Sequence, residues 1–417
     1  MSHAVDPCAK PGLIHPNDAL PKLLEQVMPL TRTETLSISD ALNHVLAEDV
    51  ESSINLPPFD NSAMDGYAFR FDDLNRDNNV TNLTLVGSAF AGHPFDGDIP
   101  KGSCVRIMTG AQVPAQLDTV QMQELAEANQ DIITITSPKR AGANVRKQGE
   151  EASIGQVILK LGTQIGAAEL GVLATLGIAN VSVFSKVKVA FFSTGDELKP
   201  VGTALKEGQI YDSNRYSIQG LLTKSDVEWV DLGIIEDNPE SIKQAFLTAS
   251  EQADLVLTSG GVSVGDADYV KQVLDDVGEI TFWRLAMKPG KPFAMGKLDN
   301  AIFCGLPGNP VASMVTFYQL VQPIINKMKN LPQSAPLKVN AQLMHNIKRK
   351  PGRVEFQRGV LTRNNQGDLE VSTTGAQGSG MLTSMSIANC FIHIAIDQGE
   401  INAGEIVTVE PFSSLLN

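Results

Sequence analysis

The spacing of apolar residues changes period several times along the chain, and each change marks an element boundary. Near the start, Leu20, Leu23, Leu24 and Val27 fall at i, i+3, i+4 and i+7. That spacing predicts an amphipathic helix capped by Asn17 or Asp18 and stopped by Pro29. From about residue 72 to 148 the pattern turns to short alternating runs, such as 83–86 and 104–108, separated by Gly92, Pro94, Gly97, Pro100 and Gly102. This texture reads as a β-rich insertion. A helix is expected near 167–176, with Gly177 as its C-cap and a strand at 181–184. From 188 onward strand and helix alternate. Strands are predicted at 187–192, 227–235, 255–258, 280–284 and 301–304, and helices at 213–223, 268–277 and from 310 to about 328. Asn238 as N-cap and Pro239 at the first helical position start one more helix. Repeated βα units imply a parallel sheet with helices on both faces, and ligands in such sheets sit beyond the carboxyl ends of the strands. After 336, period-two runs return at 337–343, 353–360, 369–373, 390–396 and 405–410, predicting a small antiparallel sheet or barrel.

Length fits this plan, because 417 residues exceed what one core organises and predict two to four domains. The balance of 33 basic against 47 acidic residues, a net charge of −14, disfavours non-specific binding to nucleic acid or anionic membrane. Any anionic ligand must therefore meet a local basic patch. Cys8, Cys104, Cys304 and Cys390 form no CxxC pair, so neither a zinc ribbon nor a disulfide scaffold is supported, and reduced thiols in a cytoplasmic protein are expected. The first twelve residues lack the basic and apolar regions of a secretory signal. The longest apolar stretch, 165–184, is interrupted by Glu169 and Asn180 and reads as buried helix plus strand rather than a membrane span.

Acidic residues cluster on the expected strand-end loops as Asp196, Glu197, Asp237, Asp266 and Asp268. Hard oxygen ligands on turns suit Mg²⁺, although each carboxylate taken alone also suits a helix cap. The run Met287-Lys288-Pro289-Gly290-Lys291-Pro292 puts two ammonium groups three residues apart on a stiff turn, which fits a small oxyanion or, more blandly, a solvated basic loop. Ser259-Gly260-Gly261 allows close backbone approach to a ligand, and Leu306-Pro307-Gly308-Asn309-Pro310 forms a rigid turn before a helix N-terminus. No P-loop and no HExxH occur, and the six histidines lack metal-ligand spacing. Residues 261–265 do satisfy GxSxG, so a serine hydrolase built on Ser263, with His393 following in chain order, is an alternative function.

Taken together, these motifs resemble the molybdopterin molybdenumtransferases, the family of bacterial MoeA and the E-domain of gephyrin. The resemblance runs through residues 58–68, 106–111, 144–150, 193–198, 208–214, 259–268, 287–292 and 306–310, in order, and covers the chain from about Asp18 to Phe412. It implies insertion of molybdate into adenylylated molybdopterin with release of AMP, dependent on Mg²⁺, by a cytoplasmic homodimer. The molybdopterin adenylyltransferase is implied as a further candidate partner. The implied fold is multidomain α/β and β: a central parallel α/β domain, MogA-like and molybdopterin-binding, at 27–45 plus 182–328; a β-rich inserted domain at 58–148; a discontinuous linking domain at 11–26, 46–57 and 149–181; and a C-terminal β-barrel at 329–417.

Residue roles follow from the same resemblance. Ser263, Lys288, Lys291, Pro292, Arg358 and Ser379 correspond to the molybdate site, and Asp196, Glu197, Asp237 and Asp268 to the acidic set for Mg²⁺. Asp65, Thr109, Glu197, Asp237 and Asp268 match catalytic positions. Arg146, Thr194, Gly195, Ser259, Gly260, Gly261, Pro307, Gly308, Asn309 and Pro310 match those that bind molybdopterin or AMP. Asp65, Thr109 and Arg146 are implied to reach the site across the dimer. Glu151 stands where many bacterial members have aspartate. A non-catalytic scaffold, as in gephyrin-like relatives, is the other alternative; it predicts that the acids and lysines are dispensable.

Overall fold

The computed structural model describes residues 12–75, 80–136, 140–260 and 269–412. The chain divides into two compact units, one holding residues 36–42 and 46–181 and the other the remainder. In the larger unit a six-stranded sheet runs in the order Glu228–Ile235, Lys188–Thr194, Leu255–Ser259, Ala301–Leu306, Pro292–Leu298, Glu279–Arg284. The first four strands are mutually parallel and the last two join antiparallel. The parallel core was legible as alternating βα units. The strand at Pro292–Leu298 was not, because Pro292 closes the lysine-bearing turn and Gly296 breaks the apolar run. Period two explains why the central strands are apolar throughout. Phe191, Leu255 and Leu257 pack on one face with Ile218 and Leu222, while Phe192, Val256 and Phe303 pack on the other with Ile242 and Phe246. Phe246 meets both Phe192 and Phe303 edge to face, at centroid distances of 5.1 and 5.3 Å.

Helices Ser213–Lys224 and Pro310–Thr316 cover the first face, and Pro239–Gln252 covers the second with Tyr269–Val277. Asn238 caps its helix as expected, its side chain accepting from the Ser241 amide at 2.9 Å. The first helix departs from expectation. It spans Pro16–Glu25, and the cap is His15, whose Nδ1 accepts from the Asn17 amide. Pro16 at the first helical position needs no donor there, which moves the start upstream of Asn17. The helix expected up to residue 328 is likewise interrupted: Phe317–Val321 is a π-turn leading into Gln322–Met328. Pro323 removes one amide and crowds the preceding turn, so the wider turn is its physical consequence.

Beyond residue 336, strands Val339–Leu343, Val354–Arg363, Leu369–Thr373, Cys390–Ile394 and Ile406–Pro411 close on one another in a five-stranded barrel around Leu343, Val371, Ile392 and Val409. The two-residue strand Met287–Lys288 joins its wall, pairing in parallel with Val354–Glu355.

The smaller unit carries a six-stranded sheet ordered Thr119–Met122, Gly66–Phe69, Ser103–Ile107, Val80–Ala89, Ile132–Thr136, Ala126–Asn129, as the alternating runs predicted. Its helix Ala167–Thr175 is capped by Leu176 rather than by Gly177, which follows the cap with φ +71° and turns the chain away. Cys104, Cys304 and Cys390 are free and buried, and burial pushes all three thiols up, Cys104 and Cys390 to about 12. Alkylation of the native protein at pH 8 is therefore expected to spare these three. Mass spectrometry showing rapid labelling at any of them would contradict the packing.

Candidate active site

The turn Lys288–Lys291, the end of Ala301–Leu306 and the loop at 377–379 surround a cavity of about 540 Å³ in the larger unit. Of the sequence candidates, Gly260, Lys288, Lys291, Pro292, Pro307, Gly308, Asn309 and Ser379 line it. Arg353 and Gln377 also line it, although sequence reasoning did not single them out. The local fold dictates this convergence. Strand Leu255–Ser259 delivers Gly260, whose amide donates to the Leu306 carbonyl at 3.2 Å and so ties two strand ends together. Gly260 has φ +96°, and a Cβ there would lie 2.7 Å from the Thr194 carbonyl oxygen, so only glycine fits. Gly290 is equally constrained at φ +105°, where a Cβ would meet the Thr316 hydroxyl at 2.7 Å.

Asn214 braces the same floor from the Ser213–Lys224 helix. Its amide donates to Ser259 Oγ at 2.5 Å and to the Gly308 carbonyl at 2.8 Å. Asn214 belongs to the 208–214 motif, but its spacing gave no sign that it joins two strand-end loops. Asn214→Ala leaves the buried Ser259 hydroxyl without this donor, at a cost of about 1–3 kcal/mol. A lower midpoint in urea with an unchanged m-value is the expected result; a wild-type midpoint would remove the bracing role.

Three cations, Lys288, Lys291 and Arg353, face this cavity in a chain whose net charge is −14. Lys288 Nζ also lies 3.2 Å from Oε1 of Glu355. Ser379 is held against the helix start, its carbonyl accepting from the Val311 amide at 3.0 Å. Arg358 lies elsewhere than the pocket wall. It is 1% exposed, its Nε donates to Ser384 Oγ and its Nη2 to the Gly378 carbonyl, both at 3.0 Å. Burial pushes its guanidinium down to about 10. These two contacts make it a brace for the 377–379 loop rather than a lining residue.

Asp196, Glu197 and Asp237 follow the ends of neighbouring parallel strands. Burial raises the Asp237 carboxyl above its ordinary range, and the charges of Asp196 and Glu197 raise it further. Converging carboxylates of hard oxygen fit a divalent cation that would relieve this repulsion. Among the described residues, no group of three such side chains is closed enough to hold a metal by itself. Thr194 and Gly195 precede these acids and Pro310 opens the following helix. Gly261, Ser263, Asp266 and Asp268 lie outside the described residues. His393, which the hydrolase alternative required, is packed into the barrel wall, 2.7 Å from Glu410 and edge-on to Phe356.

In the smaller unit Asp65 accepts from both the amide and the hydroxyl of Thr109, at 2.7 and 2.8 Å, which holds its carboxyl below the ordinary range. Backbone bonds from Gly110 to Ser62 and from Ala63 to Asn144 weave the loops of Asp65, Thr109 and Arg146 into one exposed surface.

Similarity to known proteins is consistent along the chain. Residues 14–177 match the family model of the MoeA N-terminal region (domain I and II), 190–327 that of a probable molybdopterin binding domain, and 340–412 that of the MoeA C-terminal region (domain IV). A molybdopterin molybdenumtransferase of Haemophilus influenzae is 48% identical over 402 residues, 96% of this chain and 99% of its own. Another from Nostoc sp. is 35% identical, covering 90% and 88%. A crystal structure of a molybdopterin biosynthesis moeA protein from Pyrococcus horikoshii OT3 superposes with a TM-score of 0.83 at 30% identity, covering 96% of this chain and all of that one. With its three regions matched in order and its relatives aligned over nearly their whole length, the chain belongs to the MoeA family of molybdopterin molybdenumtransferases, enzymes of molybdenum cofactor biosynthesis.

Proposed function

We propose that this enzyme inserts molybdate into adenylylated molybdopterin in a Mg²⁺-dependent reaction that releases AMP. The observation that carries this reading is the cavity bearing Lys288, Lys291 and Arg353 within a strongly acidic chain. Steering by the whole-protein field opposes an anion, so affinity must come from these three donors at close range. The lysines act as point charges on a tetrahedral dianion, and Arg353 adds a third positive charge at the cavity wall. Gly260 and Gly308 leave room for backbone approach to the substrate beside them.

Asp196, Glu197 and Asp237 are the described residues that would hold Mg²⁺, with Asp268 as the fourth implied ligand. When bound, the ion would neutralise phosphate charge and stabilise the leaving AMP. The role of this chain's own acids is to converge as anionic oxygens near the strand ends, where phosphate would otherwise meet only repulsion. Asp65, fixed as an anion by Thr109, is proposed to complete the site from a second copy in a cytoplasmic homodimer that receives substrate from the adenylyltransferase. Among the described residues no helix is long and apolar enough to cross a membrane.

The decisive measurement is AMP release from adenylylated molybdopterin by the purified protein, with molybdate and Mg²⁺ added singly and together. Release only with both is expected. No AMP under any combination would overturn the proposal. A fluorophosphonate probe is expected to leave Ser263 unlabelled; stoichiometric labelling lost in Ser263→Ala would restore the hydrolase alternative.

A further inference from the structure

We infer that Glu355, a buried carboxylate behind the pocket wall, competes with the bound oxyanion for Lys288 and so holds the anion affinity of the site down. The inference rests on the reading of this cavity as an oxyanion site. Parallel pairing places Lys288 directly opposite Glu355, and Lys288 Nζ sits 3.2 Å from Oε1. The two partners are unequal: the Glu355 side chain is 4% exposed, whereas that of Lys288 is 45% exposed and lines the cavity. The carboxylate is also held independently of the lysine. Arg349 Nε lies 3.6 Å from the same oxygen, and Gln357 donates to Oε2 at 2.9 Å. Glu355 is therefore a fixed interior charge and Lys288 the partner at the cavity wall.

A lysine ammonium has three protons, and a contact to Glu355 commits one of them. An oxyanion can use the others, yet it must share the ammonium with a negative charge that stays in place. A buried charge is screened little by salt, so the repulsion between Glu355 and a dianion persists at physiological ionic strength. The same carboxylate thus aims Lys288 and weakens its grip, which favours exchange of oxyanion over retention. Were Glu355 merely structural, losing its charge would loosen the site. As a competing counter-charge, its loss must tighten it. The two roles differ in sign.

The test is calorimetric titration of the full-length protein with sodium molybdate, and separately with sodium sulfate. Glu355→Gln is expected to bind both about three- to tenfold more tightly than wild type. In turnover it should show a lower molybdate half-saturation without a higher kcat. Should loss of the charge beside Arg349 prevent that variant from folding, Glu355→Asp keeps the interior charge but draws it back from Lys288 by one methylene. It is expected to bind at least about twofold more tightly. Unaltered or weaker binding in the folded variants, beside lost affinity in Lys288→Gln, overturns this inference alone. Wild-type protein that binds neither anion, or Lys288→Gln that binds as wild type does, overturns the pocket reading and the inference with it.

Discussion

Lys288→Gln is expected to raise the molybdate concentration for half-maximal turnover by about ten- to fiftyfold. A charge-assisted hydrogen bond to an oxyanion contributes about 1.5–3 kcal/mol, and the lower half of that range applies because the Lys288 side chain is 45% exposed. Glutamine keeps the reach and one donor but removes the charge. The fold has little reason to change, since Glu355 retains Arg349 and Gln357 as partners. Kinetics at fixed adenylylated molybdopterin, with a thermal melt alongside, check the result. Unchanged molybdate dependence in a well-folded variant would remove Lys288 from the site.

Why this lysine was visible in the sequence, and its counter-charge was not, is a matter of range. The two ammonium groups around Pro289-Gly290 are a local pattern, readable from stiffness and charge within six residues. Glu355 reaches Lys288 only because a barrel strand pairs with the turn across 67 positions, and no periodicity reports such a pairing. The same holds for Arg353 and Asn214, whose positions in the site are set by tertiary register. Elements behaved similarly. Leu255–Ser259, buried on both faces, showed as a short apolar run ending in Ser and Gly. Pro292–Leu298 was hidden because its antiparallel partner, not its own composition, makes it a strand. Arg358 shows what residue type alone leaves out. Residue type and motif position gave it an anion, while burial gave its guanidinium to Gly378 and Ser384.

Asp237→Asn separates function from stability most sharply, because its two expected effects have opposite signs. Asn238, not Asp237, caps the following helix, so a capping role is already filled. Burial, Asp196 and Glu197 raise the Asp237 carboxyl in the folded state. A raised carboxyl binds protons more readily folded than unfolded, so stability falls as pH rises from the unfolded value through the folded one, and that loss persists at neutral pH. Asparagine cannot ionise and removes the loss. The melting temperature at pH 7 should therefore hold or rise, and its excess over wild type should vanish below the ordinary carboxylate range. Activity should move the other way, falling about 100-fold as one anionic oxygen leaves the set proposed for Mg²⁺ and phosphate. Added Mg²⁺ should recover only part of it. Turnover across a Mg²⁺ series, set beside melts at about pH 3 and pH 7, gives both readings from one preparation. Full activity with an unchanged melt would make Asp237 a bystander at the strand end and shift the burden of metal binding to Asp196 and Glu197.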